Sequence, residues 1–195
     1  MSSYYTIHKP FQVLSQFSFQ ESRQTLKDIY KFPTDVYPVG RLDYDSEGLL
    51  IITNDKSLNH KLLNPAFGHE REYWVQVEGQ ITTDALIQLQ DGVEISIDGR
   101  LHQTRRCIAS AFLSVPHVAE RNPPIRFRKN IPTSWIKLIL TEGKNRQVRK
   151  MTAAVGFPTL RLIRYRIGHL TIDQMAPGEY KEWDNLQIYQ LLGIK

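Results

Sequence analysis

Leu49-Leu50-Ile51-Ile52 is an unbroken apolar run with no polar residue at alternate positions, the pattern of a short strand covered on both faces. Any fold for this chain must therefore be built around a rigid, buried strand. Directly before it stands Gly40-Arg41-Leu42-Asp43-Tyr44-Asp45-Ser46-Glu47-Gly48, a polar loop with three acids beside an arginine. A rigid strand can hold such loop carboxylates in fixed positions. As a calcium loop, Asp43, Asp45, Glu47 and Gly48 fill the first, third, fifth and sixth positions, but Ile51 falls on the ninth and Asn54 on the bidentate twelfth, so that reading fails. A phosphoryl-transfer aspartate should follow its apolar strand, whereas here the strand follows the acids. The bland reading is a solvated turn whose aspartates accept backbone hydrogen bonds. Taken alone, the segment leaves a catalytic carboxylate and a turn both open.

The rest of the chain reads mostly as short strands. Tyr4 to Lys9 and Phe11 to Phe17 are β-branched and aromatic runs broken by Pro10, and Gly48 to Thr53 is the central strand. Arg71 to Glu78 alternates, with Tyr73, Val75 and Val77 on one face. Further strands are expected over Val93 to Ile97, Thr104 to Ala109, Phe112 to Val118, Trp135 to Thr141, Leu160 to Tyr165 and Ile167 to Thr171. Helices are expected over Thr25 to Tyr30, Lys56 to Leu63, Thr83 to Gln90 and Asn185 to Leu192. Strands outnumber helices and do not alternate with them, which points to an α+β fold with a mixed, largely antiparallel β-sheet and flanking helices. Pro123-Pro124 through Pro132 reads as a long surface loop.

Charge is distributed unevenly. Between Arg121 and His169 there are twelve Lys or Arg against one acid, Glu142, while the remaining residues carry thirteen against nineteen. A modest overall charge of +5 thus conceals a strongly basic half, which points to a polyanion, with nucleic acid the obvious candidate. No basic amphipathic stretch of sufficient length suggests a membrane surface. With 195 residues and 41% apolar content the chain can bury a core as one domain or as two tightly packed lobes. Cys107 is the only cysteine, so no internal disulfide forms; with no secretory segment and no apolar run near twenty residues, the expected compartment is cytoplasmic. Six scattered histidines without metal-ligand spacing, and no phosphate-binding glycine pattern, leave the chemistry to side chains alone.

A second informative segment is Thr141-Glu142-Gly143-Lys144-Asn145-Arg146-Gln147-Val148-Arg149-Lys150-Met151. Asn145 is the expected N-cap of a helix ending near Gly156, with Val148, Met151 and Val155 as its apolar stripe. Arg146, Arg149 and Lys150 lie on the opposite face, where a guanidinium suits a carboxylate or a phosphate. A plain solvated cationic face is the alternative.

Three ordered motifs, Gly40-Arg41-Leu42-Asp43-x-Asp45-Ser46-Glu47-Gly48-Leu49-Leu50, Arg71-x-Tyr73-x-Val75 and Glu142 through Met151, resemble the RNA pseudouridine synthases of the ribosomal small-subunit type. Arg121 through Arg126, Ile131 through Trp135 and Gly156 through Tyr165 resemble in particular a branch that acts on the large subunit. The resemblance runs from Lys9-Pro10 to Pro177-Gly178-Glu179. It implies a single catalytic domain over residues 1–195, with the active-site cleft across the sheet. The implied reaction detaches uracil from ribose and reattaches it through carbon five. Asp43 matches the essential aspartate, Arg149 the basic residue that pairs with it, Tyr73 the tyrosine that stacks on the base, and Arg41 an arginine that holds the base out of its stack. Physical chemistry agrees: breaking a C–N glycosidic bond leaves the sugar electron-deficient, and a fixed carboxylate can stabilise or trap it. Chemistry at that carbon requires the base to be everted. Arg126, Arg128, Lys129, Arg146, Gln147, Lys150, Arg161, Arg164 and Arg166 are the candidates for RNA-backbone contacts. The expected partner is large-subunit ribosomal RNA bound by a monomer, with no cofactor, metal or membrane.

Two features depart from the family pattern. Many relatives carry a small N-terminal RNA-binding domain, whereas here the catalytic pattern starts within ten residues, so affinity is expected from the basic half. Position 71 is arginine where lysine is usual. The competing function is a non-catalytic RNA-binding or ribosome-assembly module that keeps the fold and the charge, and the two readings divide at Asp43.

Overall fold

The computed structural model describes residues 2–126 and 130–194. In chain order its elements are β1 (Tyr4–Lys9), β2 (Val13–Leu14), β3 (Gln24–Thr25), α1 (Leu26–Ile29), β4 (Tyr37–Pro38), β5 (Glu47–Thr53), α2 (Lys56–Leu63) and a 3-10 turn, Pro65–Phe67. There follow β6 (Arg71–Glu78), α3 (Thr83–Asp91), β7 (Glu94–Ile97), β8 (Arg100–Gln103), β9 (Ile108–Ala111), β10 (Thr133–Leu140) and α4 (Gln147–Ala154). The chain closes with β11 (Thr159–Ile167), β12 (Leu170–Thr171), β13 (Tyr180–Trp183) and α5 (Asn185–Leu192). They divide into two compact units, Met1–His69 with Ile163–Lys195, and Glu70–Leu162. Among the described residues no helix is long and apolar enough to cross a membrane.

In the first unit β5 is the central strand, as its unbroken apolar run requires. All seven of its residues are buried, and Leu49, Leu50, Ile51 and Ile52 have no exposure. Each such side chain contributes about 1.5 to 3 kcal/mol relative to exposure. On one side β1 runs antiparallel to β5 and to β13. On the other, β4 pairs antiparallel at Thr53 and Ile52, and β11 pairs parallel at Glu47 and Gly48. Tyr5, Ile7, Val13, Leu26, Leu42, Leu50 and Ile52 close one core, with Tyr5, Tyr30 and Tyr180 packed edge to face around Phe32. α2 begins at Asp55, whose Oδ1 accepts the N–H groups of Ser57 and Leu58 at 2.8 and 3.1 Å, satisfying two of the helix's orphan donors.

In the second unit β10 lies between β6 and β9, antiparallel to both. The alternation of β6 puts Tyr73, Val75 and Val77 on the face that Ala85 and Leu89 of α3 and Val148 and Met151 of α4 cover. β7 and β8 form a separate hairpin turning at Asp98 and Gly99, both at positive φ (49° and 78°), the two-residue turn whose twist matches that of the strands.

The mixed, largely antiparallel sheet with flanking helices is as the sequence indicates. Four expected strands differ. Ile167 to Thr171 is broken by a turn at Gly168 and His169 into the last residue of β11 and the two residues of β12, which pair with each other. Phe11 to Phe17 contributes only the two residues of β2, because Gln12, through its backbone N–H, and Ser15, through its hydroxyl, are committed to holding the acidic loop. Thr104 to Ala109 is irregular until Ile108: the Cys107 N–H donates to the Gln90 carbonyl at 3.0 Å and the Val93 N–H to Thr104 Oγ1 at 2.8 Å, so this stretch is tied to the end of α3. Phe112 to Val118 forms no strand; β-branched residues favour strands only where a partner is available.

Candidate active site

The acidic loop is held from outside itself. Leu42 is buried, its carbonyl accepts the Ser15 hydroxyl at 2.8 Å, and its N–H donates back to Ser15 Oγ at 3.1 Å. On the other side of Asp43, the Tyr44 carbonyl accepts the Gln12 N–H at 2.9 Å, and the Arg23 guanidinium lies 5.0 Å from the centre of the Tyr44 ring. The Ser46 N–H donates to the Asp43 carbonyl at 3.0 Å and closes the turn. Both chain neighbours of Asp43 are thus clamped by the segment after β1, while Asp43 itself is half-buried and Arg41 stands exposed.

Beneath the loop lies Lys9, at the end of β1 and with no exposure. Its ammonium donates to the Pro10 and Val13 carbonyls at 2.8 and 2.7 Å. Burial pulls its pKa down to about 7, opposed by the negative charges of Glu47, Asp45 and Asp43 and reinforced by the positive charge of Arg164. Lys9 therefore faces three acids, with a second buried cation, Arg164, near it. Arg164 is 5% exposed, and its Nε donates to the Leu49 carbonyl at 2.8 Å. Its backbone passes so close to β5 that a Cβ on Gly48, which sits at φ +109°, would lie 2.3 Å from the Arg164 carbonyl oxygen. Glycine at 48 is thus a condition for the strand pairing that carries the loop.

In the second unit, Tyr73 is half-buried on β6, opposite Leu138 and packed against the core. Arg149 and Lys150, also half-buried, come from the first turn of α4. The turn before that helix is organised by Glu142, which is 5% exposed. It accepts from Gln147 Nε2 at 2.6 Å, the Arg105 N–H at 2.9 Å and His102 Nε2 at 3.3 Å. Gln147 Oε1 in turn accepts the Lys144 N–H at 2.9 Å. The expected Asn145 cap is replaced: Arg146, exposed and left-handed at φ 51°, takes the N-cap position without a side-chain cap bond. Local propensity favours asparagine there, but the Glu142–Gln147 link sets where the helix starts.

The candidate RNA contacts divide by exposure. Arg41, Arg126 and Arg146 are exposed, and Lys150 and Arg166 half-buried, with Arg166 donating to the Gly168 carbonyl. Gln147, Arg161 and Arg164 are buried, not displayed on the surface as a phosphate contact requires. Gln147 serves the turn before α4, and Arg161 donates to the Ala119 carbonyl at 2.8 Å with its guanidinium 6.0 Å from the Trp135 ring. Arg128 and Lys129 lie outside the described residues. Reading the sequence for function also missed Lys9 and Glu142 as organisers. The available signals were a lysine ending a β-branched and aromatic run, and one acid alone in a basic half.

The family model described as RNA pseudouridylate synthase matches residues 3–154. The ribosomal large subunit pseudouridine synthase E of Vibrio parahaemolyticus is 47% identical over 175 residues, covering 90% of this chain and 71% of that one. The protein of that name from Xanthomonas axonopodis is 47% identical over 173 residues, 88% of each. A crystal structure of a pseudouridylate synthase superposes with a TM-score of 0.78 at 22% identity, covering 98% of this chain and 74% of that one, and shares the fold.

Proposed function

The chain belongs to the RNA pseudouridylate synthase family, and from that membership we propose that it isomerises uridine to pseudouridine in large-subunit ribosomal RNA, with Asp43 as nucleophile. In this reaction the bond from N1 to C1′ breaks and one from C5 to C1′ forms; C5 loses a proton and N1 gains one. Nothing is oxidised or reduced. The carboxylate of Asp43 meets the electron deficiency created when the glycosidic bond opens. The observation that carries the reading is the clamping of Leu42 and Tyr44, which leaves the carboxylate between them little freedom and so pre-positions it.

Tyr73 stacks on the everted uracil and assists removal of the C5 proton. Arg149 supplies the basic group of the α4 motif to the reaction. Both roles rest on the family motifs these residues match. Arg41 keeps the base out of its stack, which costs a few kcal/mol and is cheapest in loops and bulges. Arg126, Arg146, Lys150 and Arg166 hold the RNA backbone. The chain acts as a monomer without a cofactor.

The test is incubation with large-subunit ribosomal RNA followed by detection of carbodiimide-resistant pseudouridine. The native chain forms product, in chelator as well as in magnesium. Asp43→Asn binds the RNA with unchanged affinity but loses turnover by more than about a thousandfold. Absence of product with native chain and intact RNA would instead mark a non-catalytic RNA-binding module.

A further inference from the structure

The register of the β7–β8 hairpin pairs Ile95 with His102 and Ile97 with Arg100, so these four side chains share one face. Ile95 enters the core, whereas Ile97 and His102 are half-buried and Arg100 is exposed. Ile97, Arg100 and His102, with Asp98, Leu101 and Lys144, line a cavity of about 480 Å³, within the range of small-ligand sites. Its imidazole is oriented by Glu142, the buried carboxylate whose other oxygen is occupied by Gln147 Nε2 and the Arg105 N–H. The backbone at Lys144 is fixed by its bond to Gln147 Oε1. One wall is thus a flat ring and an apolar side chain held in place, while the rim carries Arg100 and Lys144 against the single acid Asp98.

Flat and apolar on one side and anionic on the other describes a nucleotide, and protein sites for unpaired bases combine an aromatic or histidine face with cations for the phosphate. Lys144 lies five residues before Arg149, so the cavity opens beside the turn that leads into α4. We propose that the cavity is a subsite for one unpaired nucleotide of the substrate RNA other than the target uridine, its base against His102 and Ile97 and its phosphate between Arg100 and Lys144. The proposal rests on the RNA substrate inferred above.

Large-subunit ribosomal RNA transcripts substituted with 4-thiouridine or, separately, 6-thioguanosine are photo-crosslinked to the full chain, and the modified peptides are mapped. A crosslink within residues 97–102 or at Lys144 is expected, and crosslinks confined to other parts of the chain overturn the subsite. In steady-state assays Arg100→Ala with Lys144→Ala, two exposed positions, raises KM about tenfold and leaves kcat within about twofold. His102→Gln acts in the same direction, and its thermal unfolding reports whether the hairpin is intact. Should the double variant keep a native KM, the subsite is wrong even though the chain makes pseudouridine. Should the native chain make none, the functional reading fails while the crosslink map still reads the cavity.

Discussion

A lysine without solvent exposure, bonded to two carbonyls and surrounded by three carboxylates and an arginine, ties the acidic loop to the hydrophobic interior. Burial lowers its pKa from 10.5 to about 7, so the unfolded chain holds this proton more tightly than the folded one. Below pH 7 both states are protonated and the penalty of burying the charge is felt in full. Between pH 7 and 10.5 the unfolded chain keeps a proton that the folded chain has released, so the Lys9 contribution to stability rises with pH, by up to about 1.4 kcal/mol per unit. The neutral amine retains two N–H donors, matching its two carbonyl partners. Lys9→Met should abolish the rise: urea unfolding from pH 6 to 9.5 gives a native curve that gains on the variant as pH increases. Parallel curves would show that Lys9 stays charged throughout. The position of Asp43 was legible in the sequence because its motif is contiguous, whereas the role of Lys9 was not, since a lysine ending a strand ordinarily carries its charge to water.

Elements were legible where the signal lay within them. α2 and α5 lie where the sequence placed them, since apolar residues recur at helical spacing, and Asp55 and Asp184 cap them. The Asp55 carboxylate does more than cap. Its Oδ2 accepts the hydroxyls of Tyr4 and Tyr189, each at 2.8 Å, which joins α2 to β1 and α5. Partial burial works to raise its pKa, but the Leu58 N–H, the two hydroxyls and the Ser57 N–H hold it below 3.8; burial first, and then the same carboxylate, push Tyr189 up to about 12. Asp55→Ala should cost about 2 to 3 kcal/mol at pH 7, near 1 from the cap and the remainder from the two hydroxyls. A depressed carboxylate stabilises only while ionised, so this difference holds above pH 4 and shrinks as pH falls through the folded value. Equal denaturation midpoints for native and variant chains at pH 7 would refute the role. Elements were misread where a remote partner decided: β9 exists because Ile108–Ala111 meets Ile136–Ile139 of β10, while the ladder ends at Phe112, whose N–H donates to the Trp135 carbonyl at 2.9 Å, and residues 112–118 form no strand.

For the whole molecule, the charge asymmetry of the sequence becomes an asymmetry between units. The first unit carries eleven Lys or Arg and eleven Asp or Glu, whereas the second carries fourteen against nine and with them the entire net charge of +5. RNA affinity should therefore fall steeply with salt through contacts of the second unit. Lys150→Ala should weaken binding and reduce the slope of log K against log salt by about one, while Arg149→Ala should lower kcat far more than affinity. A salt titration with the reverse pattern would exchange their roles. The sequence by itself determined the central strand, the α+β class, the family and the position of the acidic loop, because each is written in a contiguous run of residues whose chemistry is local. Tertiary structure alone decided which cations are buried and which stand at the surface, since Lys9, Arg161 and Arg164 read like any other basic residue until distant strands and loops surround them. It also decided where α4 begins and which apolar stretches become strands, because hydrogen bonds to residues far along the chain outweigh local preference.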